Sequence, residues 1–265
     1  MARAGVIGNP HPYTFFGTFA GLPFWPGGMT LLAAAPGIGK TSWLLRIVHE
    51  AATAGFPAAI GCYEHTEAEL KYRLQLQAEA AVAGPHNPAP LADVEAHLVK
   101  GGEAILEQLS DREDTLRAIE EVLIEDYGFP VSGLAVLAVD YLQRVPVVGL
   151  TGLVSEERRA GEAAAGLREL ARRHSWAVVA ASAVKATHFS VKGGADLSVL
   201  LGDERVPYEV DRVLFVQRTG DIQPCGCVTL DVHTLKNRVG PADSWQMAFW
   251  GTRFYPALIG EGAHP

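Results

Sequence analysis

Residues 30 to 45, TLLAAAPGIGKTSWLL, constrain the fold more than any other stretch of the chain. An apolar run of strand length breaks into a turn with two glycines. Apolar residues then resume at helical spacing, at Leu44, Leu45, Ile47, Val48 and Ala51. The reading is a strand, a phosphate-cradling loop and a helix. Gly37 and Gly39 allow the backbone angles that turn successive N–H groups inward around an anion. The general pattern is G-x-x-x-x-G-K-[ST], with Ala34 here in place of the first glycine. The nucleotide-binding segment is therefore Ala35, Pro36, Gly37, Ile38, Gly39, Lys40, Thr41 and Ser42. Lys40 reaches the β- and γ-phosphates, the Thr41 hydroxyl is placed to hold Mg²⁺, and the helix dipole faces the same anion. An ordinary strand-to-helix turn is the bland alternative, and the flanking periodicity argues against it.

A chain of 265 residues that is 48% hydrophobic fits one large α/β domain and needs no disulfide or metal to fold. No segment approaches the about 18 uninterrupted apolar residues of a membrane span, and residues 1 to 17 lack the apolar core of a signal peptide. Three cysteines suit a reducing cytoplasm. Cys225 and Cys227 make a C-x-C in a hairpin turn, without the further ligands of a zinc site. The net charge of −8 neither announces nor excludes a nucleic-acid partner, because a ring can keep its basic groups inside a channel.

Residues 1 to 29 read as an irregular arm, rich in glycine, proline and aromatics (Tyr13, Phe15, Phe16, Phe19, Phe24, Trp25), that packs on this domain or on a neighbouring subunit; the domain proper spans 30 to 265. Gly55 stops the first helix, and Pro57 to Tyr63 is a short buried strand. Thr66 and Glu69 form a capping box opening a helix to about Ala83. A short helix (91 to 100), a strand (104 to 109), and a helix capped by Ser110 and Glu113 follow. Leu134 to Val139 is a continuous apolar run that fits a central strand covered on both faces. A helix from Ser155 to His174, the buried strand Trp176 to Ser182, a glycine- and lysine-bearing mobile loop (183 to 205) and four antiparallel segments complete the chain. The fold class is α/β: a mainly parallel central sheet flanked by helices, with an antiparallel C-terminal extension.

In such a sheet the carboxyl ends of the strands share one edge, and ligands bind there. Asp140, ending its apolar strand, has the context of a Mg²⁺-holding carboxylate. Glu64, ending another, is placed to deprotonate a water attacking the γ-phosphate, though an acid before a helix also favours the dipole. His65 reads as a polar surface residue. Lys236 and Arg238, two apart at a strand end, point to one face. They are either a solvated edge or a pair that reaches across a subunit interface to a neighbour's nucleotide.

These motifs, taken in order, resemble the RecA-type ATPase domain of DnaB replicative helicases, and more distantly KaiC-like and RadA-like ATPases, over about residues 14 to 256. AAAPGIGKTS resembles the family's phosphate loop, which also has alanine at the first position. YEHTEAELKYRLQ resembles the segment that carries its catalytic glutamate, at Glu64. LAVDYLQRV, with Asp140 to Gln143, is close to its most specific signature, and KNRVGP resembles its Lys-x-Arg-x-Gly-Pro element. The resemblance implies a RecA-like P-loop NTPase core that binds ATP and Mg²⁺. It also implies a homo-oligomeric ring, most simply a hexamer, that acts on single-stranded DNA with replication or repair partners and no membrane. Trans-acting roles follow for Lys236 and Arg238, and DNA contacts for Lys185, Lys192 and Arg205 in the loop at 183 to 205. Two departures stand out. Ala183 follows Ser182 where the family has a γ-phosphate-sensing glutamine, and the family's N-terminal collar has no counterpart here. A nucleotide-gated regulatory or assembly ATPase without unwinding is the alternative that the first departure favours.

Overall fold

Every residue of Met29–Ala34, Val136–Asp140 and Ala177–Ser182 is buried. Strands that are apolar without alternation belong in a sheet covered on both faces, and that is where the computed structural model has them. It describes residues 13–14, 23–100, 104–110, 115–133, 135–147, 155–188, 195–238 and 240–259. In chain order these form β1 (Tyr13–Thr14), β2 (Pro23–Phe24), β3 (Met29–Ala34), α1 (Lys40–Thr53), β4 (Ala58–Cys62), α2 (Glu67–Ala83), α3 (Leu91–Lys100), β5 (Ile105–Gln108), α4 (Leu116–Glu125), β6 (Val136–Asp140), α5 (Glu156–His174), β7 (Ala177–Ser182), α6 (Val206–Glu209), β8 (Arg212–Thr219), β9 (Cys227–Asn237), β10 (Ser244–Trp250) and β11 (Tyr255–Leu258).

Nine strands make one sheet in the order β11-β10-β9-β8-β3-β7-β6-β4-β5. From β8 to β5 the pairings are parallel, and β9, β10 and β11 continue the sheet antiparallel. Alternate residues of each strand feed opposite cores. Leu32, Ala138 and Val179 join α1 and α2 on one face, while Leu31, Leu137 and Val178 join α4 and α5 on the other. Among the described residues no helix is long and apolar enough to cross a membrane.

Local signals hold at most boundaries. Gly55 is left-handed after α1, with φ of 86°, and Thr66 with Glu69 forms the reciprocal capping box of α2. Ser155 caps α5. The expected Ser110–Glu113 cap is replaced by Thr115, whose hydroxyl accepts from the Ala118 amide and opens α4 at Leu116; Glu113 lies outside the described residues. The arm is not wholly separate, because Phe24 is buried in the α1-side core and Arg212 sits 4.7 Å over the Trp25 ring. Tyr13 lies in β1, and Phe15, Phe16 and Phe19 lie outside the described residues. The described ends of the 183 to 205 loop are anchored: Val184 bridges Leu200, and both are buried with Val199.

Asp211, just before β8, ties three elements together. Its Oδ2 accepts from the Met29 amide at 2.9 Å and from Arg168 of α5, whose Nη2 also donates to Oδ1 at 2.8 Å. Arg168 further donates to the Gly27 carbonyl at 2.9 Å. Removing one partner of a largely buried pair leaves the other charge uncompensated. Arg168→Ala should therefore destabilise the fold by about 3–5 kcal/mol in urea unfolding, and adding Asp211→Asn should recover part of the loss, because the amide carries no charge.

Candidate nucleotide site

The loop between β3 and α1 has the backbone the glycines permit: φ is 79° at Gly37 and 93° at Gly39. Gly39 is the N-cap of α1, no side chain caps the first turn, and no acidic residue lies in it. The first amides of a 14-residue helix thus keep their donors and their positive dipole end for an anion. Lys40 folds back on its own loop, donating to the carbonyls of Ala34 at 3.1 Å and Ala35 at 3.3 Å. Burial pushes its pKa down, opposed by the charges of Asp140 and Glu64.

Register brings the carboxylates to this loop. Cys62 pairs with Asp140 across β4 and β6, and the Tyr63 amide donates to the Asp140 carbonyl at 2.7 Å. The Thr41 hydroxyl donates to Asp140 Oδ2 at 2.6 Å, although 99 residues separate the two. Burial pushes the Asp140 carboxyl up, the Thr41 hydrogen bond opposes that shift, and Glu64 adds to it. Asp140 is fully buried, and its Oδ1 has no hydrogen-bond partner. A buried carboxylate oxygen in that position fits a cation, so Thr41 and Asp140 suit Mg²⁺, a hard ion that takes oxygen ligands. One donor atom each from Glu64, His65 and Asp140 lies within 4.8 Å of the others, the only such His/Cys/Asp/Glu cluster among the described residues.

A cavity of about 450 Å³ opens over the loop. Its walls include Gly37, Lys40, Thr41, Glu64, His65 and Ala183 after β7, together with residues the sequence reading missed: Arg73 of α2, and Phe249, Gly251 and Phe254 from the antiparallel extension. Only the fold brings these last three here. Gln77 donates to the Ser42 carbonyl at 2.8 Å and to the Phe254 carbonyl at 2.7 Å, docking the extension onto α1. Gln143 is also buried; it donates to Ser182 Oγ at 2.9 Å and to the Leu201 carbonyl at 2.7 Å, and accepts from the Ala183 amide at 3.2 Å. It fixes the ends of β6 and β7 relative to each other. A larger groove of about 690 Å³ between α4 and α5 is lined by Glu120, Glu121, Glu125, Glu162 and Glu169 against Arg117 and Arg173, so acidic groups outnumber basic ones there.

Lys236 and Arg238 are not at this edge. Arg212 pairs with both Thr30 and Asn237, so the pair sits at the amino edge of the parallel strands, about 13 Å of strand from the loop. Lys236 donates to the carbonyls of Val210, at 2.7 Å, and Pro207. Arg238 donates to the Tyr208 carbonyl at 2.6 Å and pairs with Asp211 at 3.4 Å. Within one chain they cannot reach the cavity. Of the loop cations, Arg205 is held by Asp203 and Glu162, so its charge is already neutralised. Lys185 is half-buried, and Lys192 lies outside the described residues. The C-x-C forms the expected hairpin, with the two sulfurs 3.0 Å apart.

The profile of the DnaB-like helicase C-terminal domain matches residues 19–254. The chain belongs to this family. One solved ATPase domain superposes with a TM-score of 0.71 at 16% identity, covering 89% of this chain and 86% of that one. A DnaB-like replicative helicase, described with its interactions with primase, gives 0.70 at 16% identity over 88% of this chain and 59% of that one. At these identities the likeness shows the RecA-like fold, and this chain spans about three-fifths of the second protein. No curated protein sequence matches the chain. The DnaB-like domain thus carries a RecA-like motor core, with the glycine loop after β3, Glu64 and Asp140 at one edge.

Gly39 has a further constraint. A Cβ there would lie 2.7 Å from the tip of the Phe249 ring, on a left-handed backbone. Gly39→Ala should lower stability by about 1–2 kcal/mol from the backbone alone, read as a drop in thermal unfolding midpoint. Phe249→Leu in the same chain should remove the steric part of the effect and leave the backbone part.

Proposed function

We propose that this domain is an ATP-hydrolysing motor that works in the cytoplasm as a homo-oligomeric ring, most simply a hexamer, on single-stranded DNA in replication or repair. The observation that carries the reading is the 2.6 Å contact between the buried Asp140 and Thr41, which lines a cavity together with Lys40 and Glu64. The residue set matches ATP with Mg²⁺. Lys40 exchanges its loop carbonyls for phosphate oxygens, and the amides from Gly37 to Ser42 supply the rest of the cradle. Thr41 and Asp140 would hold Mg²⁺, which would supply positive charge against the charge that develops in phosphoryl transfer. Glu64 orients a water and takes its proton as the oxygen attacks the γ-phosphorus and the bond to the β-phosphate oxygen breaks. The chain boundaries of this unit are taken as an arm over 1–29 and the ATPase domain over 30–265.

The position of Lys236 and Arg238 at the far edge supports a role on a neighbour's nucleotide rather than their own. Arg238→Ala should slow ATP turnover about 10³-fold while ATP affinity, read by titration of a fluorescent analogue, stays within about twofold; equal loss of both would remove the trans role.

Ala183 favours a second reading, a nucleotide-gated regulatory or assembly ATPase of the KaiC-like or RadA-like kind, because a methyl group at the cavity wall cannot sense the γ-phosphate by hydrogen bonding. DNA separates the two. On the motor reading, single-stranded DNA accelerates Mg²⁺-dependent phosphate release severalfold, and the acceleration fades steeply as salt rises. Turnover indifferent to DNA at low salt would leave the gated reading standing.

A further inference from the structure

The hairpin that joins β8 to β9 carries a pair of thiols that the ATPase chemistry does not use. Cys225 and Cys227 flank Gly226, whose φ of 77° is left-handed and favours glycine. Two backbone hydrogen bonds close the turn. The Gln223 amide donates to the Cys227 carbonyl at 2.8 Å, and the Gly226 amide donates to the Gln223 carbonyl at 2.8 Å. The two Sγ atoms are thereby brought to 3.0 Å and hydrogen-bonded to each other. That separation is about 1 Å longer than a disulfide bond.

The two thiols stand in different surroundings. Cys227 is buried, pairs with Trp250 across β9 and β10, and packs with Ala248 and Trp250. Cys225 is half-buried at the tip, between the exposed Pro224 and Gly226, where a small solute reaches it. The hydrogen bond from Cys227 holds the Cys225 thiol below its ordinary pKa, and burial pushes Cys227 up to about 11. The more accessible sulfur is thus the better thiolate, and the buried one stays protonated beside it. Cys62, the third cysteine, is buried in the α1-side core. A bridge across one intervening residue would stabilise the fold least, because the entropy removed from the unfolded chain grows with loop length. The pair is suited to exchange rather than to stapling.

We propose that Cys225 and Cys227 form a reversible dithiol–disulfide site that exchanges with low-molecular-weight disulfides, Cys225 attacking and Cys227 resolving. In the first step the Cys225 thiolate attacks one sulfur of the small disulfide. The S–S bond of that disulfide breaks, and its other half leaves as a thiolate that takes up the proton Cys225 released to water. A mixed disulfide on Cys225 results. The Cys227 thiol then gives up its proton and attacks Cys225 Sγ; the mixed S–S bond breaks, and the second small thiolate leaves and takes up that proton. Two protein thiols are oxidised by two electrons, and one small disulfide is reduced to two thiols. The exchange needs no nucleotide and does not rest on the ATPase reading.

The test equilibrates the folded, nucleotide-free full chain with glutathione buffers running from reduced to oxidised, quenches in acid, alkylates the remaining thiols and maps the peptides by mass. The expected result is an intrachain bridge between Cys225 and Cys227 that forms in the oxidised buffers and reverses in the reduced ones, with Cys62 still a free thiol. Cys227→Ser should accumulate the mixed disulfide on Cys225. Cys225→Ser should react about tenfold more slowly, because the buried Cys227 loses about two powers of ten in thiolate and its greater nucleophilicity recovers about one. The parent chain decides the matter even where a variant fails to fold. Free Cys225 and Cys227 in the most oxidised buffer, a mixed disulfide that persists on the parent's Cys225, or bridges to Cys62 or to a second chain would overturn the site. Equal rates for the two single variants would overturn the assignment of the attacking sulfur. ATP turnover plays no part in this readout, so an inactive ATPase with intact exchange would count against the proposed function and not against the dithiol site.

Discussion

The sheet confines its chemistry to the ends of its strands because β3, β6 and β7 are covered on both faces. Inside those strands an ionised group would have to leave water without compensation, at a cost of several kcal/mol. Asp140 is tolerated because it is the last residue of β6, with the Thr41 hydroxyl on one oxygen and a cavity wall beside it. Ser182 ends β7, its hydroxyl oxygen accepting from Gln143 Nε2. The parallel register then aligns these ends: Cys62 with Asp140, Ala33 with Ser182, Ala34 with Val216. Convergence of the phosphate loop, Asp140 and the Glu64 turn is therefore a consequence of burial and register together, and no contact between the side chains themselves is needed to bring it about.

That logic explains what could be read from the chain alone. Unbroken apolar runs at LAVLAV and WAVVAAS mark doubly covered strands, and the residue closing each run is placed at the functional edge by topology. Gly37, Gly39, Thr66, Ser155 and Gly55 carry local backbone instructions that tertiary packing does not override. What stayed hidden is non-local. RFYPALI carries no sign that Phe254 will line the cavity, because its position depends on Gln77 reaching from α2 across 177 residues. His65 reads as a surface group in the sequence because the nearby Asp140 carboxylate belongs to another strand and Arg73, 3.4 Å from its Nδ1, lies two turns into α2. The Ser110–Glu113 pattern failed for a simpler reason: Thr115 offers the same hydroxyl nearer the apolar face that α4 buries with Ile119 and Leu123.

Two buried glutamines supply the rigidity that charge supplies elsewhere. Gln77 and Gln143 each bridge elements that are not neighbours in sequence, through backbone carbonyls. Gln143 uses both its donor and its acceptor without the desolvation cost of an ion, whereas Gln77 uses its donor alone and its Oε1 has no hydrogen-bond partner. Gln143 also decides what Ala183 can contribute. Its Oε1 takes the Ala183 amide, so both the backbone donor and the side chain at this position are withdrawn from any γ-phosphate chemistry. The missing glutamine at 183 is thus not replaced by its own main chain.

The two cations at the opposite edge differ in how readily an interface could recruit them. Lys236 donates to two carbonyls around α6, and burial pushes its pKa down, so pulling it away would leave those carbonyls without a charged donor. Arg238 holds Asp211 at 3.4 Å with its side chain 40% exposed. A pair of that length and exposure contributes about 0–1 kcal/mol. Asp211 keeps Arg168 and the Met29 amide when Arg238 leaves. The carboxylate therefore stays compensated when the Arg238 side chain moves. Of the two, Arg238 is the more exposed and holds the Tyr208 carbonyl and an exposed pair with Asp211, while Lys236 is bound to two carbonyls around α6.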